Sequence, residues 1–182
     1  MENKYSVYRN IRFNRTYRTI GKMSWWRVAL GIVLLVSVFL ISGVVSQYFA
    51  ARGNFSLAET LMVSPQWMEK NKPEVKAFIE AGVLYENGEY KEASDSFAAI
   101  EGVDAAPVMK CAADVKLAMQ HVAEEEFELA FNIVEATEIS YLTEENAGDF
   151  MDLCTALLEH FGAAESDYYN KITEIISSVE ES

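Results

Sequence analysis

The sequence predicts an all-α protein in which an N-terminal membrane-spanning helix leads into a domain of short helical hairpins. Three observations carry that prediction. Residues 28–45 read VALGIVLLVSVFLISGVV and hold no charge. Beyond Ala51 apolar residues recur at helical spacing, and no useful length of chain alternates as a strand would. Glycines then fall between successive helical patterns, where a left-handed residue ends a helix.

An anchor and one domain of ordinary size fit into 182 residues, long enough to bury a core without disulfides or metals. Residues 1–27 carry Lys4, Arg9, Arg12, Arg15, Arg18, Lys22 and Arg27 against the single Glu2, a net of +6. The rest of the chain has 8 basic and 27 acidic residues, so the formal charge of −13 hides an acidic body of −19. A cationic head joined to an acidic body places a membrane between them. In residues 5–27, YSVYRNIRFNRTYRTIGKMSWWR, arginines are interleaved with aromatic rings. Such a segment can lie on anionic lipid headgroups, each basic residue contributing on the order of 1 kcal/mol near the surface. The same mixture also suits nucleic acid. Orienting the anchor already requires these charges, so nucleic acid is the weaker reading, and residues 1–24 are expected to form a basic cytoplasmic tail.

The charge-free run covers about 27 Å as a helix, and Trp25, Trp26, Tyr48 and Phe49 extend it to the thickness of a bilayer with aromatic belts at both ends. A helix this apolar inside a soluble core would need an unusually large protein around it. A cleaved signal peptide is the closer competitor, with Val44-Val45-Ser46 as a weak cleavage site. Its apolar region is usually about 7–15 residues, however, and the head here is long and rich in arginine. An uncleaved, single-pass anchor of the cell membrane is therefore expected, with the N-terminus cytoplasmic and the C-terminal domain extracytoplasmic.

The clearest hairpin is YENGEYKEASDSFAAI and the residues before it. Ala81, Leu84 and Tyr85 share a face of one helix that Gly88 ends, and Tyr90, Ala93, Phe97 and Ile100 mark a face of the next. So short a turn makes the pair antiparallel, with small Ala81 and Ala93 letting the axes approach. The order carried by Ala81, Leu84, Gly88, Tyr90, Ala93 and Phe97 resembles the tetratricopeptide repeat, a helical hairpin of about 34 residues that stacks into a solenoid. Ala105 stands where that family often has proline, and Pro107 follows it.

The spacing recurs. Gly53, Phe55, Ala58 and Met62 repeat Gly88, Tyr90, Ala93 and Phe97 at an offset of 35, and Ser46 and Phe49 take the places of Ala81 and Leu84. The resemblance thus implies one helix over residues 25–51, the membrane helix running into the first repeat helix without a flexible linker. Residues 52–182 then form the tetratricopeptide-like helical domain. Phe127, Ala130 and Val134 recur 37 residues after Tyr90, Ala93 and Phe97, with Ala118 leading in and Glu125 in the turn-glycine position. The helix before them is expected to start near Pro107. Thr143 can cap a helix over about residues 144–161 that Gly162 ends, and Tyr168, Ile172, Ile175, Ile176 and Val179 line a final helix. Asp167 in the alanine place suits a terminal cap with a polar outer side. A plain bundle of amphipathic helices is the alternative architecture.

Between the first hairpins, Pro65 and Pro73 break any continuous helix, Ser64 can start a short one, and Trp67 with Met68 is expected to pack into the core, a dip toward the nearby bilayer surface being the alternative. Cys111 and Cys154 are expected as small buried apolar residues, a disulfide between neighbouring leading helices being the alternative. His121 with Glu124 and Glu125, and His160 with Glu159, read as solvated charged faces rather than metal ligands, because no HExxH motif or calcium loop accompanies them. Phosphate loops, nucleophile elbows and Cys/His nucleophile signatures are lacking too, so no catalytic constellation, cofactor or metal is expected. The strong acidity repels anionic lipid or steers a basic partner.

The resemblance implies a non-catalytic, membrane-anchored protein–protein interaction module, an adaptor or scaffold of a membrane or cell-envelope complex that binds a protein or peptide segment. The alternative is a single-pass signalling or regulatory protein sensing through its exported domain. Deleting residues 2–20 separates the two: a scaffold keeps its partner, whereas a transmitter loses its output.

Overall fold

The computed structural model describes residues 25–62, 64–162 and 167–180. The basic tail expected at residues 1–24 lies outside the described residues. All regular structure among the described residues is helical. The chain divides into two compact units, Met1–Ser42 and Gly43–Ser182.

Helix α1, Trp25–Ala50, contributes to both units. Its stretch Trp26–Ala50 is long and apolar enough to cross a membrane. In the first unit Leu30, Ile32, Val33, Leu34 and Leu35 are all exposed, a contiguous apolar surface that water does not favour. Ser37 donates its hydroxyl to the carbonyl of Val33 at 2.8 Å, which satisfies that polar group within the helix itself.

The second unit begins with the last turns of α1. Ser46 is fully buried and donates Oγ–H to the carbonyl of Ala58 at 2.7 Å. That bond ties these turns to α2, Phe55–Thr60. The chain leaves α1 through Gly53, whose φ of +73° lies in the left-handed region. Asn54 then caps α2, accepting from the Leu57 N–H at 3.3 Å.

Ser64 caps α3, Pro65–Asn71, and a second proline opens α4, Pro73–Glu86. The core expectation for Trp67 is corrected here. Met68 is buried whereas Trp67 is 47% exposed. Adjacent helical positions point about 100° apart, so on so short a helix only one of the two side chains reaches the core.

Gly88, at φ +84°, turns α4 into α5, Tyr90–Ala98. Helix α6, Ala106–Ala123, takes Pro107 in its first turn, and α7, Phe127–Ala136, follows through a tight turn. There Glu125 adopts φ +63°, the conformation glycine takes in the two earlier hairpins. A 3-10 turn, Ile139–Tyr141, leads to α8, Glu144–Phe161, which opens with a capping box between Thr143 and Asn146 and closes at left-handed Gly162. Helix α9, Asp167–Glu180, ends the described chain.

Packing follows chain order. From α4 onward each helix lies against its successor, and α4 also meets α6, α6 meets α8 and α7 meets α9. Among the described residues the buried side chains form two clusters. In the first, Phe78 makes ring contacts with both Phe55 and Phe97 at centroid distances of 5.5 Å. In the second, Val115, Ala130, Phe131, Phe150, Leu157 and Ile172 bring α6 to α9 together. Gly82 permits the close approach of α4 to α2. A Cβ there would meet the Phe55 ring at 2.0 Å.

Candidate functional site

The residues picked out by the repeat spacing are mostly scaffold. Phe55, Ala58, Ala81, Ala93, Phe97 and Ala130 are buried, Leu84, Tyr90 and Phe127 are half-buried, and Gly53 and Gly88 occupy turns. The surface they build is a cleft of about 340 Å³ lined by the turn after α1 and by α4, α6 and α8. These helices are the first members of successive hairpins. Their side chains project side by side because each leading helix packs on the next.

The floor of the cleft is apolar, with Val108, Met109 and Ala112 on α6. Its polar wall is held in place by contacts within the protein. Lys116 of α6 pairs with Asp149 of α8 at 2.5 Å, and that hydrogen bond raises the lysine pKa against the opposing effect of burial. The Tyr85 hydroxyl is pushed up by burial, with the nearby Lys116 charge acting the other way. Asn146 accepts from the Thr143 N–H at 2.7 Å and so belongs to the cap of α8.

Glu86 joins the cleft to the first hairpin. Its carboxylate accepts from the N–H groups of Phe55 at 2.7 Å and Ser56 at 2.8 Å, and from the Ser56 hydroxyl. A side chain from α4 thereby satisfies the open N-terminus of α2. Burial pushes the Glu86 carboxyl up, but the hydrogen bonds from Ser56 and Phe55 outweigh it and leave the pKa below its ordinary value. Arg52 lies at the rim with its guanidinium 4.6 Å from the Tyr48 ring centroid, and among the described residues it forms no ion pair. Among the described residues the cleft thus combines an apolar floor, one open cation and a braced lysine–aspartate pair.

Reading the sequence missed Arg52, Tyr85, Glu86, Lys116 and Asp149 as lining residues. Lys116 and Asp149 are opposite charges 33 residues apart that meet only because α6 packs on α8.

The other candidates fall elsewhere. Cys111 and Cys154 are free and buried, and burial pushes their thiols up to about 11 and about 12. His121 comes together with Glu124 and Glu126, their ligand atoms within 4.8 Å of one another, while Glu125 is taken up by the turn. These three could hold a divalent ion, but Glu126 already accepts from the His121 Nδ1 at 2.6 Å and both glutamates face solvent. His160 stacks on Phe127 at a centroid distance of 3.5 Å, and Glu159 beside it is exposed.

No protein-family model matches this chain, and no curated protein or solved structure matches it.

Proposed function

We propose that this chain is a membrane-anchored protein–protein interaction module of tetratricopeptide-like hairpins, a non-catalytic adaptor or scaffold in a membrane or envelope complex. The observation that carries the reading is the cleft on α4, α6 and α8, where first helices of successive hairpins together line one apolar-floored surface. Further support comes from helices that pack in chain order and from left-handed residues at each of the first three hairpin turns, Gly53, Gly88 and Glu125. In this reading a segment of the partner lies along the cleft over Val108 and Ala112, its acidic groups reaching Arg52. The apolar run of α1 holds the module at the bilayer, with the basic tail cytoplasmic on anionic headgroups and the acidic domain on the extracytoplasmic side.

The test is site-specific photocrosslinking in native membranes. A photoreactive residue in place of Ala112 is expected to give a discrete, stoichiometric adduct, while the same residue in place of exposed Glu174 gives none. Equal labelling from both positions, or none from Ala112 while the anchor stays in the membrane, would remove the cleft reading.

A further inference from the structure

A second and larger groove, of about 670 Å³, lies between α5, α6 and α7. It draws on another face of α6. Lys110, Asp114, Leu117 and His121 line it, whereas Val108, Ala112 and Lys116 line the first cleft. At helical geometry the two sets point about 170° apart, so neither surface borrows side chains from the other.

The groove has an apolar strip and an acidic wall. Leu117, Leu129 and Ile133 form the strip, and Leu129 is 48% exposed, a leucine held in water beside further apolar surface. On the α5 wall stand Glu89, Glu92 and Asp95, and among the described residues their side chains form no ion pair or hydrogen bond. The deeper charges are already matched. Asp114, buried, accepts from the Ser94 hydroxyl and from Lys110 at 2.6 Å, and among the described residues Lys91 is the one cation in the lining without an ion pair. Three open carboxylates therefore face one open lysine. The potential is reinforced by Glu124, Glu126 and Glu128 next to His121 and Leu129, and by an acidic domain around them.

We infer that this groove docks a cationic amphipathic peptide segment of a partner protein. One of its apolar side chains covers Leu117, Leu129 and Ile133, and its lysines or arginines meet Glu89, Glu92 and Asp95. Charge complementarity selects this occupant: anionic lipid and nucleic acid are repelled by the same wall. A purely polar polycation lacks the apolar contact, and its attraction to exposed carboxylates is screened within about 8 Å at physiological salt. The inference stands apart from the cleft on α4, α6 and α8, since it uses separate residues and survives if that cleft proves empty.

The test uses the full chain in nanodiscs of zwitterionic phosphatidylcholine, with empty nanodiscs as the blank. The probe is the fluorescein-labelled peptide KLLKKLLK, compared with ELLEELLE and KSSKKSSK by fluorescence anisotropy. Saturable binding is expected for KLLKKLLK alone. Combined Glu89→Gln, Glu92→Gln and Asp95→Asn is expected to weaken it about tenfold through loss of three exposed pairs. Leu129→Ser is expected to weaken it by a similar factor, about tenfold, through loss of apolar burial. The same charge change made away from the groove, Asp152→Asn with Glu174→Gln and Glu180→Gln, is expected to leave affinity unchanged. Helical circular dichroism of each variant is compared with that of the parent, so that misfolding is recognised. Absence of saturable binding, equal loss from both triple variants, or no loss from Leu129→Ser overturns the inference. Photocrosslinking from Ala112 is read separately, so failure of either surface is distinguishable from failure of the other.

Discussion

At the scale of single residues, two backbone positions show how much of this fold rests on conformational permission. Glu125 sits at φ +63° where the earlier turns have Gly53 and Gly88. Left-handed geometry costs a side-chain-bearing residue about 1–2 kcal/mol, part of which glycine's greater freedom in the unfolded chain takes back. Glu125→Gly is therefore expected to stabilise the domain by about 1 kcal/mol, read as a higher urea midpoint with unchanged slope. A lower midpoint would mean that the Glu125 side chain contributes something the turn needs. Gly82 presents the opposite case, for its constraint is packing. An added methyl would meet the ring of fully buried Phe55 at 2.0 to 2.5 Å. Overpacking there is expected to cost about 2 kcal/mol, more than the roughly 1 kcal/mol that alanine gains over glycine in a helix. Gly82→Ala should thus lower the midpoint, and Gly82→Ala combined with Phe55→Leu should recover part of the loss. Glu125 was legible in the sequence as the residue standing in a turn-glycine place. Gly82 was not, because its role depends on a ring that arrives from another helix.

At the scale of elements, local chemistry set what could be read and tertiary contact set what could not. The bounds of α8 follow from Thr143 and Gly162, both local signals, and the α4–α5 hairpin follows from Gly88 between two apolar faces. Trp67 and Met68 defeated the same approach, since hydrophobicity does not say which of two adjacent residues on a short helix turns inward. The lining of the cleft was hidden for a related reason: Lys116 and Asp149 lie on different helices, and only the stacking order brings them together. The cap of α2 is another long-range device. Its first N–H groups are met by Glu86, a residue 30 positions or more along the chain. The folded pKa of Glu86 lies below the unfolded value of 4.5, so its contribution is fully present above that pH and is lost as pH falls through the folded value. Glu86→Gln is accordingly expected to lower stability by about 1 kcal/mol at neutral pH. The gap between variant and parent should close as acid protonates the parent. A gap that stays constant down to strongly acidic pH would show that the carboxylate charge is not what caps the helix.

For the whole molecule, the charge distribution makes a statement about orientation that no single helix makes. On the N-terminal side of the charge-free run, residues 8–27 hold Arg9, Arg12, Arg15, Arg18, Lys22 and Arg27. On the other side, residues 46–65 hold Arg52 alone. Basic residues within about 15–20 positions of a span govern which end stays in the cytoplasm, whereas acidic residues contribute little, so the acidity of the domain does not by itself set the direction. In the proposed exported orientation the asymmetry in lysine and arginine is what does. Protease added to intact cells is therefore expected to degrade an epitope at the C-terminus and to spare one at the N-terminus. Replacing Arg12, Arg15, Arg18, Lys22 and Arg27 by glutamine leaves Arg9 on that side against Arg52 on the other, with Lys4 farther out, and nearly abolishes the bias. That variant is expected to distribute between both orientations, seen as a protected fraction of the C-terminal epitope that the parent lacks. Both grooves would then be presented to the wrong compartment in the inverted fraction, and crosslinking from Ala112 should fall in proportion to it. Full protection of the C-terminal epitope in the parent would place the acidic domain in the cytoplasm and overturn the exported-adaptor reading, while leaving the chemistry of both grooves to be tested against cytoplasmic partners.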